Sequence, residues 1–202
     1  MNISTLQKSL FIWANQNFPQ SKAPENLQGI IEELGELIDV ELGIHKFDVI
    51  KTNSEREDAV CDMLIYIMNY CSFKKVNLET IILNIFSKFN VTSSNMNNVF
   101  ETLSVYVGTP VLNSVNINLN IIHKYLISAI GRLNHIDLKE KQGIRGYDNP
   151  EKSSKERNEQ LEILIQTISA FSCFYRIDLS KSLEIVSKKV LKRNFISGEN
   201  IQ

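Results

Sequence analysis

The sequence has little of what marks several common classes of protein. It holds only three cysteines, an odd number without metal-ligand spacing, so a disulfide framework is not expected. Lys and Arg total 22 against 23 Asp and Glu, which leaves no broad basic surface for nucleic acid. No apolar run reaches membrane-spanning length, and no signal-peptide pattern is recognisable. We therefore expect a cytoplasmic protein without nucleic-acid or membrane partners.

Strand alternation with turn signals is also missing, and helical periodicity runs through most of the chain. The sequence therefore predicts an all-α fold. Ser4 is expected to cap the first helix and Ser54 the third, with Glu57 at the capping-box position. Pro110 is expected to break a helix. The predicted helices with assigned bounds are about 4–16, 25–43, 54–73, 78–89, 117–135, 155–175 and 179–193. Loops are predicted at 44–54 and 139–154, and a linker at 90–98.

Two groups of carboxylates lie in successive predicted helices: Glu32, Glu33 and Glu36, then Asp58 and Asp62. Residues three or four apart share a helix face, so Glu33 points the same way as Glu36, and Asp58 the same way as Asp62. Apolar residues flank both groups. Carboxylates that converge between packed helices repel one another unless a cation lies between them. Oxygen ligands of this kind suit a hard divalent cation, and Mg²⁺ is the usual one beside phosphates.

The chain also repeats itself. Residues 56–89 align without a gap with residues 157–190, and residues 31–37 align with residues 127–133. One copy alone would leave an apolar stripe exposed, whereas two copies can bury their stripes against each other about a pseudo-twofold axis. The alternative is a chance likeness of two helix pairs. The predicted helix bundle is thus an intramolecular pseudo-dimer of two repeats, 1–90 and 91–202.

The second copy keeps one acid, Glu159 at the position of Asp58, but it has no usable set of metal ligands and has basic residues instead. The positions equivalent to the three glutamates hold serine, alanine and arginine. A glycine-flanked Arg145 occurs only in the second copy, and such a residue can offer backbone N–H groups and a guanidinium to phosphate oxygens. Lys192 and Arg193 follow near the C-terminus. They are either phosphate ligands or a solvated helix end that complements the helix dipole.

These motifs resemble a known family. The segments 13–19, 32–37 and 58–66 are similar to MazG-type nucleotide pyrophosphohydrolases, members of the all-α NTP pyrophosphatase superfamily. The signature of that superfamily is Glu-x-x-Glu on one helix and Glu-x-x-Asp on the next. The resemblance covers most of residues 5–89 and, more faintly, residues 117–195.

The match to the signature is close but not complete. Glu33 and Glu36 match its first pair, and Asp62 matches its last position. Ala59 stands where the third acid is expected, and the nearest acid is Asp58, one residue earlier.

The resemblance implies a house-cleaning hydrolase that cleaves a (deoxy)nucleoside triphosphate to the monophosphate and pyrophosphate. It implies that Mg²⁺ is the cofactor and that Glu32 or Glu33 accepts the proton of the attacking water. The implied metal ligands are Glu33, Glu36, Asp58 and Asp62, and the implied substrate contacts are Trp13, Asn17, Arg145, Lys192 and Arg193. For Trp13 a core aromatic is the alternative.

The two repeats have complementary losses. The first has the acids without the loop of Arg145, and the second has that loop without the acids. We therefore expect one composite active site per chain, with acids from the first repeat and the loop or the closing basic segment from the second. Family members generally work as dimers or larger assemblies, so a homodimer of pseudo-dimers is a further expectation.

Three alternatives have different site requirements. A ferritin-like di-iron bundle needs a Glu-x-x-His motif, which His45, His123 and His135 do not supply. A pyrophosphohydrolase acting on phosphoribosyl-ATP shares the fold. The alternative from a different class is a catalytically weakened or inactive MazG-like regulatory or interaction bundle. The shifted position of Asp58 and the acids missing from the second repeat favour it.

Overall fold

The computed structural model describes residues 2–44, 47–91, 99–114 and 119–196. Within these ranges every regular element is a helix, which confirms the all-α prediction. None of these helices is long and apolar enough to cross a bilayer. The elements are α1 (Ile3–Asn17), α2 (Ala23–Glu41), α3 (Val49–Phe73), α4 (Leu78–Lys88), α5 (Val99–Leu103), a π-helical turn (Ser104–Gly108), α6 (Thr109–Ser114), α7 (Leu119–Gln142), α8 (Pro150–Tyr175) and α9 (Leu179–Lys192).

The helices form two compact units. The first consists of Met1–Glu79 and Ile177–Gln202, and the second consists of Thr80–Arg176. Helix α9 therefore belongs to the unit of α1, α2 and α3, and most of α4 belongs to the second unit. The units differ from the predicted repeats by an exchange of the last helix of each repeat. The repeats themselves are defined by sequence similarity and stay a prediction.

Helix α3 is central to the first unit, and α1, α2 and α9 all pack against it. Its middle is apolar on most sides, and Val60, Met63 and Ile67 are each 0% exposed. Helix α2 instead presents a single apolar stripe, in which every residue is buried: Leu27, Ile30, Leu34, Leu37 and Val40. The acids of α2 therefore lie beside this stripe, at the edge of its contact with α3. Cys61 and Cys71 are buried side chains without a disulfide.

A buried glutamine ties α1 to the turn that follows α3. Gln7 is 8% exposed. Its Nε2 donates to the carbonyl oxygen of Val76 at 2.8 Å, and its Oε1 accepts from the backbone N–H of Leu78 at 3.0 Å. The peptide groups of this turn thus find partners without water. The contact fixes α1 along α3.

An arginine–carboxylate pair joins the two long helices within each unit. In the first unit, Nε of Arg56 lies 2.5 Å from Oε1 of Glu41. In the second unit, Nη2 of Arg157 lies 2.8 Å from Oε2 of Glu140 and 3.2 Å from Oδ1 of Asp137. The two arginines are aligned in the repeat. Glu41 and Asp137 each lie ten residues after the start of the aligned segments 31–37 and 127–133.

A second local feature also recurs. Lys75 follows α3 with φ +57°, and Arg176 follows α8 with φ +56°. Both are left-handed residues that end a long helix, and they occupy aligned positions just beyond residues 56–73 and 157–174.

Two predicted N-caps are wrong. Helix α3 begins at Val49, because Oδ1 of Asp48 accepts the backbone N–H of Lys51 at 2.8 Å. Asp is as good a cap as Ser and comes earlier in the chain, so Ser54 lies inside the helix. Helix α1 is likewise capped two residues earlier than expected, by Asn2 instead of Ser4.

The predicted loops and breaks need three corrections. Pro110 is the second residue of α6, which follows the π-helical turn without a gap, so it does not break the helix. Residues 49–54 are helical. The loop predicted at 139–154 is shorter, because α7 ends at Gln142 before Gly143 (φ +62°) and α8 begins at Pro150. Of the predicted linker 90–98, residues 92–98 lie outside the described residues, as do residues 117 and 118 of the predicted helix 117–135.

Replacing glycine by alanine should have opposite effects on stability at two positions of α2. A Cβ built on Gly29 would overlap the ring of Tyr66, whereas nothing lies within 4 Å of one built on Gly35. We expect Gly29→Ala to lower the free energy of unfolding by about 1–3 kcal/mol, as overpacking does. Gly35→Ala is expected to raise it by up to about 1 kcal/mol through helix propensity. Urea unfolding followed by circular dichroism measures both, and equal effects would contradict the described packing of α2 on α3.

Candidate functional site

A cavity of about 390 Å³ lies in the first unit. It is bordered by α1, α2, α3 and the end of α9, and its volume is that of a small-molecule site. Its lining combines carboxylates, one guanidinium, an amide and aromatic rings. The residues that matter most are Glu33, Asp62, Arg193, Asn69, Trp13 and Phe195.

The carboxylates of Glu33 and Asp62 meet in this cavity because of the packing of α2 on α3. Glu33 directly precedes the buried Leu34 of the α2 stripe, and Asp62 lies between the buried Cys61 and Met63 of α3. Both acids are half-buried. The structure thus brings one predicted acid from each helix to a common space.

Burial raises the pKa of Glu33 to about 8. Repulsion from four neighbouring carboxylates contributes to this rise: Asp62, Glu36, Glu32 and Asp58. Burial also raises the pKa of Asp62 to about 6, with repulsion from Asp58 and Glu36 partly offset by the positive charges of Arg193 and Lys189. All five predicted acids therefore act on one another electrostatically, and two basic residues of α9 and its C-cap act on the same group.

The acids do not form a closed metal site in this arrangement. Among the described residues, no three Asp, Glu, His or Cys side chains form a group that could hold a metal ion. Glu36 and Asp58 are exposed, and Ala59, at the position of the third family acid, is buried. The chemistry of the donor set nevertheless fits Mg²⁺, since it consists of carboxylate oxygens that share excess negative charge.

The segment that follows α9 is held against α1 by two hydrogen bonds. Nε1 of Trp13 donates to the carbonyl oxygen of Arg193 at 2.9 Å, and the backbone N–H of Phe195 donates to Oδ1 of Asn17 at 2.8 Å. Nδ2 of Asn17 donates in turn to the carbonyl oxygen of Trp13 at 3.0 Å. Both ends of the Asn17 amide thus have partners within the protein, and Asn17 is not among the lining residues. Its contact with substrate stays a prediction.

Three aromatic rings form one wall of the cavity. The ring centroids of Trp13 and Phe18 are 5.7 Å apart, and those of Phe18 and Phe195 are 5.2 Å apart. Phe18 and Phe195 remain 42% and 44% exposed, so these rings offer apolar surface to a ligand. Trp13 is half-buried and lines the cavity while its N–H is engaged, so its ring serves as wall.

The predicted basic residues are placed differently from one another. Arg193 lines the cavity, whereas Lys192, the last residue of α9, does not. Arg145 belongs to the second unit, where it has φ +59° and its carbonyl oxygen accepts from Nζ of Lys152 at 2.7 Å. It is not among the lining residues. The substrate contacts of Lys192 and Arg145 stay predictions.

Sequence reasoning missed several lining residues, among them Tyr66 and Asn69. The only sequence signal for them is their spacing: they lie four and seven residues after Asp62 and therefore on the same face of α3. Nothing in the sequence distinguishes that face from the rest of an apolar helix.

No family model, curated protein or solved structure matches this chain. Assignment to a family therefore depends on the motifs and on the geometry of this cavity.

The raised pKa values predict that the metal-free protein loses stability as pH rises. Glu33 binds its proton more tightly in the folded chain, at a pKa of about 8, than at its ordinary value of 4.5. The stabilisation from that proton is therefore complete below about pH 4.5 and is lost as pH rises through about 8. We expect the melting temperature in EDTA to fall over this range.

Glu33→Gln, which stays uncharged, should remove much of this fall. Glu101→Gln, on an exposed residue of the second unit, is the matched control and should keep the wild-type profile. An equally steep fall in Glu33→Gln would show that the carboxylates are not coupled as described.

Proposed function

We propose that this chain is a Mg²⁺-dependent nucleoside triphosphate pyrophosphohydrolase of the MazG type. The observation that carries the proposal is a single cavity containing the half-buried acids Glu33 and Asp62, the guanidinium-bearing Arg193, and an aromatic wall. A nucleoside triphosphate needs these three chemistries together. Carboxylate oxygens hold the cation that accompanies phosphates, a guanidinium binds phosphate oxygens, and flat apolar rings cover a base.

The acids of both helices would hold the metal: Glu33, Glu36 and Asp62, with Asp58 or Glu32 completing the set. Bound Mg²⁺ supplies neutralisation of the phosphate charge. Arg193 binds phosphate oxygens through two of its N–H groups. Glu32 or Glu33 accepts a proton from the water that attacks the α-phosphorus in line. The bond from that phosphorus to the bridging oxygen breaks, leaving the monophosphate and pyrophosphate.

A tandem duplication accounts for the composition of this cavity. Its acids come from the first repeat, and Arg193 and Phe195 come from the second. The recurrent arginine–carboxylate pairs and the left-handed residues at aligned positions support two MazG-like repeats arranged as an intramolecular pseudo-dimer. Because α9 belongs to the unit of α1, α2 and α3, the closing segment of one repeat completes the site of the other. This favours the composite site, with the closing basic segment as its basic part.

One observation favours a second candidate, a non-catalytic MazG-like regulatory bundle. The described acids are not grouped closely enough to hold a metal, and the third acid of the family signature is replaced by the buried Ala59. Such a bundle would bind a nucleotide without cleaving it.

Pyrophosphate release separates the two candidates. We expect the protein with Mg²⁺ to release pyrophosphate from at least one member of a panel of canonical and modified (deoxy)nucleoside triphosphates. Glu36→Gln should lower turnover on the order of 100-fold, the scale of losing one electrostatic contact in a transition state. Glu159→Gln, at the position of the second repeat that aligns with Asp58, is the matched control and should be unaffected. No release from any substrate would support the regulatory bundle.

If the guanidinium of Arg193 binds phosphate, replacing Arg193 should affect KM and replacing the exposed Lys188 should not. Arg193→Gln should raise KM for a triphosphate by about 10-fold or more, because a hydrogen-bonded charge pair with phosphate is lost. The hydrogen bond from Trp13 to the backbone of this residue is retained, so the fold should persist.

Lys188→Gln removes the same charge from an exposed residue of α9 that pairs with Glu184. Its KM should equal that of the wild type. Equal effects of the two substitutions on KM would show that Arg193 contributes only through the net charge of the protein.

A further inference from the structure

One polar group of the cavity has no hydrogen-bond partner among the described residues. Asn69 on α3 is 3% exposed and lines the cavity, yet its Oδ1 accepts no hydrogen bond from any described residue. The large majority of buried side-chain polar atoms are paired, because an unpaired one costs folding free energy. Because Asn69 lines the cavity, a bound ligand is a source for the missing partner.

The other amides near the cavity show the contrast. Nδ2 of Asn26, which also lines the cavity and is 5% exposed, donates to the carbonyl oxygen of Lys22 at 2.8 Å. Asn17 has partners at both ends of its amide. These two asparagines hold the local backbone, whereas no such role is present for Oδ1 of Asn69.

The position of Asn69 indicates which part of a ligand it meets. Asp62, Tyr66 and Asn69 succeed one another along one face of α3 and all line the cavity. The acidic end of this row is the end that would hold the phosphates and their cation. Asn69 lies seven residues further along the helix, about 10 Å by the helical rise. A nucleotide with its phosphates at the acids and its base at Asn69 would extend in this direction.

The chemistry of the amide indicates the ligand class. An asparagine side chain offers a donor and an acceptor side by side in one plane. A planar heterocycle with an adjacent donor and acceptor on its edge satisfies both, and nucleobases have such an edge. The rings of Trp13, Phe18 and Phe195 in the same cavity can cover the faces of that heterocycle.

We propose that Asn69 is the specificity-determining residue that hydrogen-bonds the base of the substrate. This proposal rests on the proposed function for the identity of the ligand as a nucleotide. It makes a separate claim, because it concerns recognition of the base and not cleavage of the phosphates.

Tryptophan fluorescence measures occupation of this cavity directly. Trp13 is the only tryptophan of the chain, and it lines the cavity. Four deoxynucleosides, their triphosphates and base-free ribose triphosphate are titrated into the protein, with excitation at the red edge of the tryptophan band. We expect the preferred nucleoside and its triphosphate to quench the fluorescence, and the preferred triphosphate to bind more tightly than the base-free one.

Asn69→Leu should reduce this preference for the base by about 10-fold or more, since a site built around a hydrogen bond discriminates strongly. Its melting temperature should equal or exceed that of the wild type, because the unpaired buried acceptor is removed. Asn69→Asp keeps the size of the side chain and should change the rank order of the four bases. Asn15→Leu replaces an exposed amide on α1 outside the cavity and is the matched control. It should change neither the preference for the base nor the rank order of the four bases.

Two outcomes overturn the inference. An unchanged preference and rank order in both Asn69 variants would show that Asn69 does not contact the base, even where pyrophosphate release confirms the proposed function. Absence of quenching by every nucleoside and triphosphate would exclude a base in this cavity. Conversely, base-dependent quenching that is lost in Asn69→Leu, with no pyrophosphate release by the wild type, would support the inference and contradict the proposed function.

Discussion

The candidate site depends on like charges being held together at the edge of a helix contact. The apolar stripe of α2 packs on the apolar middle of α3, and Glu33 and Asp62 are carried into the same half-buried space by that packing. Hydrophobic burial is therefore stabilising enough to tolerate a group of carboxylates that repel one another. As a consequence, the pKa of Glu33 rises to about 8. A proton bound to Glu33 removes one negative charge from the group, which a cation would otherwise have to neutralise.

The closing segment converts this acidic edge into a cavity. Trp13 and Asn17 on α1 hold the backbone of Arg193 and Phe195 by hydrogen bonds, and this places a guanidinium and an aromatic ring beside the acids. Residues far apart in sequence thereby supply opposite charges to one space. In the proposed duplication the two copies divide their chemistry in this way, since either copy can lose what the other retains.

The success and failure of sequence reasoning follow from the range of the interactions involved. The helices of α2, α3, α8 and α9 were predictable, because periodicity is a local property. The starts of α1 and α3 were not, since Asn2 and Asp48 compete with equally good caps a few residues away. Glu33 and Asp62 were predictable as a pair, because each shows an acid beside an apolar run. Asn69 was not, since an unpaired amide is visible only when its surroundings are known.

The sequence by itself determined the all-α class and the acids on two successive helices, and it predicts the internal repeat. These are matters of spacing within a few turns of helix. Only the tertiary structure decided that α9 belongs with α1 to α3, that Arg193 rather than Lys192 lines the cavity, and that Asn69 lies among its lining residues. Spacing does not encode these facts, because they depend on which surfaces pack together and on which polar groups then remain unpaired.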